Sequence, residues 1–331
     1  MLQLQQCKIY QLCIPDFYTD KNGLHQPQGA IVAMNPHNGY IVAMVGGRGD
    51  DAFNRATQAE RQPGSSMKPF VYLAAIQSGK TPGSIVEDSP VSFGSWSPKN
   101  YENDYVGSIT YRYALQHSRN VAAVKIADEV GMTKVIKLAK EMGISTLTDQ
   151  DYNLSTALGG LTHGVTPLEM VQAYGVLANG GIKVQPTAIL KIVDRNGQVV
   201  EENSIQEKRV VDEKDAAIIT NMLESVINGG TGGNAAIGRP AAGKTGTTDD
   251  SKDAWFVGYT PDLVAAVWIG DDYGSETLRG MTGGDTPAIM WGQFMANALA
   301  NTPASDFPVP SSAQSAIAEG YFNPVKVQPK K

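Results

Sequence analysis

The sequence predicts an α+β fold, one antiparallel sheet built from strands at both ends of the chain with an all-helical subdomain inserted over about residues 80–210. Three observations carry this prediction. Gly29–Met34 and Tyr40–Val45 are short apolar runs joined by turn chemistry, Asn35-Pro36-His37-Asn38-Gly39, which reads as a β-hairpin. Far down the chain, Ala254–Tyr259 and Leu263–Ile269 repeat the pattern around Thr260-Pro261-Asp262. Between the two pairs the apolar spacing is helical. The first two strands are apolar on both faces, so their sheet has to be covered on both sides by helices.

The chain is long enough for one large domain or two small ones, at 331 residues, and its 42% hydrophobic and 18% charged content fits a packed globular core. The net charge of −6, with no basic run before Lys330-Lys331, gives no footprint for nucleic acid. No apolar run approaches the ~20 residues of a membrane span. Met1–Pro15 lacks the basic start and unbroken apolar stretch of a signal peptide, so the expectation is either a cytoplasmic protein or a piece of a longer one. Cys7 and Cys13 read as free thiols, with a local disulfide as the alternative. No Cys–His metal spacing and no glycine-rich phosphate loop is present, and neither a metal nor a cofactor is expected. His25, His37, His117 and His163 are scattered, which gives a Ser-His-Asp triad no support.

In chain order, residues 1–27 read as a leader or linker remnant ahead of a domain over 28–300. After the first hairpin comes Arg61-Gln62-Pro63-Gly64-Ser65-Ser66-Met67-Lys68-Pro69-Phe70, a turn opening into a helix over about Ser66–Ser78. Pro63-Gly64 breaks the chain, an apolar face follows, and Gly79 ends it. Ser65 then sits at the helix start with Lys68 three residues on, on the same face, so hydroxyl and amine can meet. A helix N-terminus also offers free N–H groups and a positive dipole end for a developing oxyanion. That is a serine nucleophile with a built-in base. Pro69 has no N–H to bond the Ser65 carbonyl, which favours a tight turn. A lone S-x-x-K arises often by chance, and alone Ser65 reads better as an ordinary N-cap. Ile109–Gln116, Val121–Val130 and Thr133–Met142 read as helices. Thr166-Pro167-Leu168-Glu169 is a capping box with proline at the first helical position, opening a helix to Ala178. Lys191–Glu201 reads as a hairpin around Arg195-Asn196-Gly197, and Asp212–Asn228 as a long amphipathic helix. Ala288–Ala300 closes the domain, and the Pro/Ser-rich residues 301–331 read as a loosely ordered tail.

Two further motifs bear on the serine. Ser118-Arg119-Asn120 falls in a break between helices, where Ser118 can pass a proton and Asn120 can hold a peptide amide; a capping pair is the other reading. Lys244-Thr245-Gly246-Thr247 lies on or at the start of a strand. Lys244 supplies a second positive charge, Thr245 and Thr247 supply hydroxyls for a carboxylate, and the Thr247 N–H is a possible oxyanion donor. Gly246 is placed where a ligand backbone approaches closely; an edge-strand bulge is the alternative.

S-x-x-K, S-x-N and K-T-G in that order are the set of serine β-lactamases and penicillin-binding proteins. Over about residues 28–300 the chain resembles the transpeptidase domain of a bifunctional (class A) penicillin-binding protein. The motifs are joined by Pro98-Lys99-Asn100-Tyr101, Ala157-Leu158-Gly159-Gly160, Thr166–Met170, Gly243–Thr248, Asp253–Tyr259 and Gly283-Gly284…Pro287-Ala288. The resemblance implies the penicillin-binding/β-lactamase-like fold, with a five-stranded antiparallel sheet. It implies a D,D-transpeptidase that cross-links peptidoglycan, acylated on Ser65 by a D-Ala-D-Ala donor stem peptide and discharged by an amine acceptor. It gives Lys68 the role of base, the Ser65 and Thr247 N–H groups that of oxyanion hole, Lys244, Thr245 and Thr247 the substrate carboxylate, and Asn120 the peptide amide. Covalent inhibition by β-lactam antibiotics follows. So does a place on the outer face of the bacterial cytoplasmic membrane, in a longer, anchored protein with a glycosyltransferase domain that has no counterpart here. A β-lactamase, a D,D-carboxypeptidase and a non-catalytic β-lactam sensor share the motifs. Against the β-lactamase, Leu147–Thr166 shows no glutamate-plus-asparagine deacylation pattern.

Overall fold

The computed structural model describes residues 14–49 and 51–321; Cys7 and Cys13 lie outside them. Short strands β1 (Tyr18–Thr19) and β2 (His25–Gln26) pair ahead of the first long hairpin, β3 (Gln28–Met34) and β4 (Ile41–Val45). Helix α1 (Arg55–Gln58) is followed by a 3-10 turn, Gly64–Met67, that runs into α2 (Lys68–Gln77). The inserted region holds β5 (Ile85–Asp88), β6 (Gly107–Thr110), α3 (Tyr111–Gln116), α4 (Asn120–Val130), α5 (Met132–Met142) and α6 (Pro167–Ala178). Then come β7 (Ile182–Val184), β8 (Lys191–Val193), β9 (Val199–Glu202), β10 (Glu207–Arg209) and the long α7 (Glu213–Gly229). Strands β11 (Ala242–Thr247), β12 (Asp253–Tyr259) and β13 (Val264–Gly270) precede α8 (Thr286–Ala298) and the short α9 (Gln314–Ile317).

The main sheet has five strands in the order β11-β12-β13-β3-β4, every neighbouring pair antiparallel. It joins the two ends of the chain, as expected, because β13 pairs with β3 from Val264↔Met34 to Gly270↔Gln28. Alternate residues sort to opposite faces. Val32, Met34, Trp255, Val257, Ala266 and Trp268 pack with Phe70, Tyr174 and Ile219 from the helices of one side. Ile31, Ala33, Phe256, Val267 and Ile269 pack with Ala288, Trp291 and Met295 of α8 on the other. Strands buried on both faces read as unbroken apolar runs for this reason.

Three expectations need correction. The inserted region is mainly but not wholly helical: β5 pairs with β6, β7 with β10, and β8 with β9. Ile109 and Thr110 end β6 rather than open a helix; Thr110 is the N-cap of α3, accepting from the Tyr113 N–H at 3.1 Å. The stretches at the two ends fold back on the body within the described residues. Gln26 is fully buried and donates to Asp272, while Ala313 is buried and the carbonyls of Ile317 and Glu319 accept from Arg112 at 2.8 and 3.0 Å. The capping box stands as read: Thr166 accepts from the Glu169 N–H, and Glu169 accepts from the Thr166 N–H at 2.9 Å.

Candidate active site

The turn that carries Ser65 is built tightly. Without an N–H on Pro69, the Ser65 carbonyl takes the Lys68 N–H instead, so the backbone closes as a 3-10 turn and α2 begins only at Lys68. In a 3-10 turn, positions i and i+3 eclipse, which stacks Ser65 and Lys68 on one side. Gln62 anchors the approach, exchanging bonds with the backbone of Leu161 at 2.8 and 2.7 Å, while its own carbonyl accepts from Trp255 Nε1 at 2.9 Å. Arg61 Nε donates to Asp253 at 2.8 Å, tying the turn to β12. The turn then lies against β11. Gly64 has φ +55°, and a Cβ on it would come within 2.4 Å of the Thr247 carbonyl oxygen; a Cβ on Gly246 would come within 2.3 Å of the Pro63 carbonyl oxygen. Gly246 therefore makes room for the chain's own turn.

A cleft of about 590 Å³ opens over this junction, lined by Ser65, Ser118, Asn120, Thr245 and Thr247 among others. Lys68 and Lys244 lie beneath it, fully buried. The Lys68 amine has three partners: the Ser118 carbonyl at 2.5 Å, Asn120 Oδ1 at 2.6 Å and Ser118 Oγ at 3.1 Å. Ser65 is not one of them, so the direct serine–lysine contact expected from the spacing is not made. Lys244 Nζ reaches Ser118 Oγ at 2.9 Å from the other side, and Thr245 Oγ1 at 3.1 Å. One hydroxyl, Ser118 Oγ, thus bridges the two amines. Ser118 holds φ +54°, an uncommon backbone for a residue with a side chain.

Burial disfavours the charged form of both amines. It pushes Lys68 well below the ordinary lysine range, with the neighbouring Lys244 as the second cause, and brings Lys244 down to about 7. No acid pairs with either amine among the described residues; the carboxylates of the cleft, Glu102, Asp104, Asp249 and Asp285, stand along its lining.

The structure also brings in residues the motifs did not name. The Lys99 carbonyl accepts from Asn120 Nδ2 at 2.9 Å, and Thr231 Oγ1 lies 2.8 Å from Thr245 Oγ1. Gly283 N–H donates to Thr247 Oγ1 at 3.0 Å. Lys99 lay within a stretch already noted for its resemblance; Thr231, in a glycine-rich lead-in, carries no chemical signal of its own.

Residues 29–277 match the family model described as the penicillin-binding protein transpeptidase domain. Among curated relatives, penicillin-binding protein 1A of Aquifex aeolicus is 40% identical over 292 residues and that of Rickettsia conorii 38% over 316, each match covering 86% of this chain. The chain spans about 40% of the length of those relatives. Among solved structures, penicillin-binding protein 1A from Haemophilus influenzae superposes with a TM-score of 0.81 at 30% identity, covering 89% of this chain and 52% of the other. The PonA1 protein of Mycobacterium tuberculosis, in complex with penicillin V, gives 0.82 at 30% identity, with coverage of 94% and 86%.

Proposed function

The chain belongs to the penicillin-binding protein transpeptidase family, and we propose that it is a serine-type D,D-transpeptidase of peptidoglycan synthesis with Ser65 as nucleophile. The observation that carries this reading is the pair of fully buried amines, Lys68 and Lys244, joined through Ser118 Oγ directly below a serine that lines the cleft. A buried amine that gives up its proton readily is what a serine hydroxyl needs beside it.

In this reading a donor stem peptide ending in D-Ala-D-Ala lies in the cleft. Its terminal carboxylate meets Lys244, Thr245 and Thr247, and its peptide amide meets Asn120. The neutral Lys68 amine has two N–H groups for its two pure acceptors, the Ser118 carbonyl and Asn120 Oδ1. Its lone pair is left for the Ser118 hydroxyl or, once the donor is bound, for Ser65; such contacts commonly tighten only in the complex. Ser65 Oγ bonds to the carbonyl carbon as Lys68 takes its proton, and the oxygen's charge falls to the N–H groups of Ser65 and Thr247. The C–N bond to the terminal D-alanine then breaks, its amine receiving the proton through Ser118. An acceptor amine attacks the ester in turn, and Ser65 recovers its proton. Gly246 serves here by letting the turn lie against β11. No step calls for a metal or other cofactor.

Two of the carboxylates between Leu147 and Glu169, Asp151 and Glu169, are spent on structure, and the third, Asp149, is exposed and does not line the cleft, which supports transpeptidation over β-lactam hydrolysis. Both oxygens of Asp151 accept from Thr148 and Thr162, and both oxygens of Glu169 from Ser145, Thr146 and Thr166. For the whole protein we propose β-lactams as covalent inhibitors and residence on the outer face of the cytoplasmic membrane, with an upstream glycosyltransferase domain. No helix among the described residues is long and apolar enough to cross a membrane.

Mass spectrometry after incubation with penicillin tests the nucleophile. We expect a single penicilloyl adduct on Ser65, absent in Ser65→Ala; an adduct that survives, or maps to Ser66, refutes the assignment. Nitrocefin under excess substrate and a D-Ala-D-Ala-like thioester with added D-alanine then separate the classes. A long-lived adduct with aminolysis of the thioester is expected. Nitrocefin turnover of about ten per second or more, within the ordinary range for enzymes, gives the protein to the β-lactamases; hydrolysis without aminolysis gives it to the carboxypeptidases. A stable adduct with neither makes it a sensor.

A further inference from the structure

One wall of the cleft hangs from a single carboxylate, Asp88, the last residue of β5 and fully buried. Its Oδ1 accepts from Asn100 Nδ2 at 2.8 Å. Its Oδ2 accepts from Arg119 Nε at 2.8 Å and from the Val106 N–H at 3.3 Å, and lies 2.7 Å from the second guanidinium nitrogen of Arg119. Each partner belongs to a segment that reaches the site. Asn100 Oδ1 accepts from the Val121 N–H at 3.1 Å, in the first turn of α4. Asn100 and Arg119 both donate to the Asp104 carbonyl, each at 2.8 Å, and so shape the loop whose Tyr101, Glu102 and Asp104 line the cleft. Arg119 stands between Ser118 and Asn120, the two residues that supply all three hydrogen-bond partners of Lys68. Ser118 keeps its φ of +54° inside that turn, a conformation that persists only where the surroundings impose it.

We propose that Asp88 is a positioning residue for acyl transfer: through Arg119 and Asn100 it fixes the Ser118–Asn120 turn, and with it the partners of the Lys68 amine and the 99–106 wall of the cleft. The inference rests on the reading of Ser65 as nucleophile and Lys68 as its base. Only a carboxylate does this. Its two oxygens meet four N–H groups, whereas an amide has one oxygen and would press its own NH2 against Asn100 or the guanidinium. Neutralising it also leaves Arg119 with one acid, the half-exposed Asp104 at 2.9 Å. The charged groups around Lys68 are Lys244 on β11, Asp249 just beyond it, Arg119, and Asp88 itself. The two acids favour the protonated amine and the two cations oppose it, so loss of the Asp88 charge helps Lys68 shed its proton.

The test is pre-steady-state acylation by a fluorescent penicillin across pH, for the wild type and Asp88→Asn, with thermal unfolding of both. The wild type should label on Ser65. Folded Asp88→Asn should acylate slower by about a hundredfold, the scale of a small misplacement of catalytic groups. The loss should fall in the first-order acylation step rather than in affinity. The acid limb of its pH profile should move to lower pH, which a merely structural role would not produce. Asn100→Ser cuts the link to α4 while leaving the buried ion pair, and should slow the same step by less. A folded Asp88→Asn with wild-type rate and limb, or slowed only in proportion to its unfolded fraction, overturns the proposal. If Asp88→Asn does not fold, wild-type acylation by Asn100→Ser overturns it instead. A wild type that never labels Ser65 defeats the underlying reading, and is told apart from these outcomes by that control.

Discussion

Ser118 Oγ stands between two amines, 3.1 Å from Lys68 and 2.9 Å from Lys244, and the two lysines differ in what they can do. Lys68 is fully buried and held by acceptors from Ser118 and Asn120, and the proposed role asks it to lose and regain a proton. Arginine cannot. Lys68→Arg should therefore lower the acylation rate by about 10²–10⁴-fold, the ordinary worth of a general base, while Lys244→Arg, which keeps a charge for the donor carboxylate, loses less. Equal losses in stopped-flow acylation would erase the division of roles. A second prediction concerns Lys244 alone. With burial bringing it down to about 7, the amine is substantially neutral above neutral pH before a carboxylate binds. A carboxylate placed beside it favours the charged form and raises the value again. Binding of a carboxylate-bearing donor mimic at pH 8 should then take up protons, and its affinity should fall as pH climbs past that of the free amine. Calorimetry in buffers of different ionisation enthalpy reads this directly; binding with no proton uptake would mean that Lys244 does not meet the carboxylate. The motifs put Ser65, Lys68, Ser118, Asn120, Lys244, Thr245 and Thr247 in one place because their chemistry is local to each motif. Lys68's actual partners were not legible, since they depend on where α4 lies against α2. Asp88 was invisible for the same reason: its four contacts span residues 100 to 119, and no local pattern announces them.

At the scale of elements, the site is a clasp between the Ser65 turn and the edge strand β11. The clasp closes only because glycines stand at both contacts, Gly64 against Thr247 and Gly246 against Pro63. A Cβ on Gly246, placed 2.3 Å from the Pro63 oxygen, has nowhere to go: its next neighbours are Trp255 Cβ at 3.0 Å and Ser66 Oγ at 3.2 Å. Gly246→Ala should open the clasp, costing about 1–3 kcal/mol of stability, as overpacking does. Acylation should fall more than tenfold, the order expected when one oxyanion donor is displaced. Unchanged penicillin labelling with a normal melting curve would show that the turn and strand can part without harm. Element by element, the strands of the main sheet and most of the helices were legible, because each is long enough to show its period. β5, β6, β7 and β10 were not: they span three or four residues each, and their pairing is set by partners elsewhere in the chain. The hairpin of β8 and β9 was found from its Asn-Gly turn alone, although both strands are exposed along their length.

At the scale of the whole molecule, the segment after α8 straps the body. Phe307 packs edge-on against Tyr259 at 5.6 Å, Ala313 is buried, and the carbonyls of Ile317 and Glu319 converge on Arg112. Arg112 is itself buried, donates also to the Asn221 carbonyl and Ser225 Oγ of α7, and lies under the Tyr321 ring at 4.0 Å. Burial pushes its guanidinium below the ordinary arginine range, with Glu224 of α7 opposing that shift from beyond ion-pair distance. Its hydrogen bonds go to carbonyl dipoles and one hydroxyl, and two of those carbonyls end or follow α9, where the helix dipole is negative. Composition could not reveal this: a Pro/Ser-rich stretch reads as loose until a buried cation needing its carbonyls is known. A chain ending at Ser305 should therefore lose on the order of 3 kcal/mol, given the strength of hydrogen bonds to a charged donor, and about 5 °C or more in Tm. Arg112→Ala in the full chain should lose a similar amount. Since both changes remove one shared set of contacts, the truncated Arg112→Ala chain should fall well short of the sum of the two losses. Calorimetric unfolding of the four proteins checks this, and strictly additive losses would mean that the strap and Arg112 stabilise the body independently.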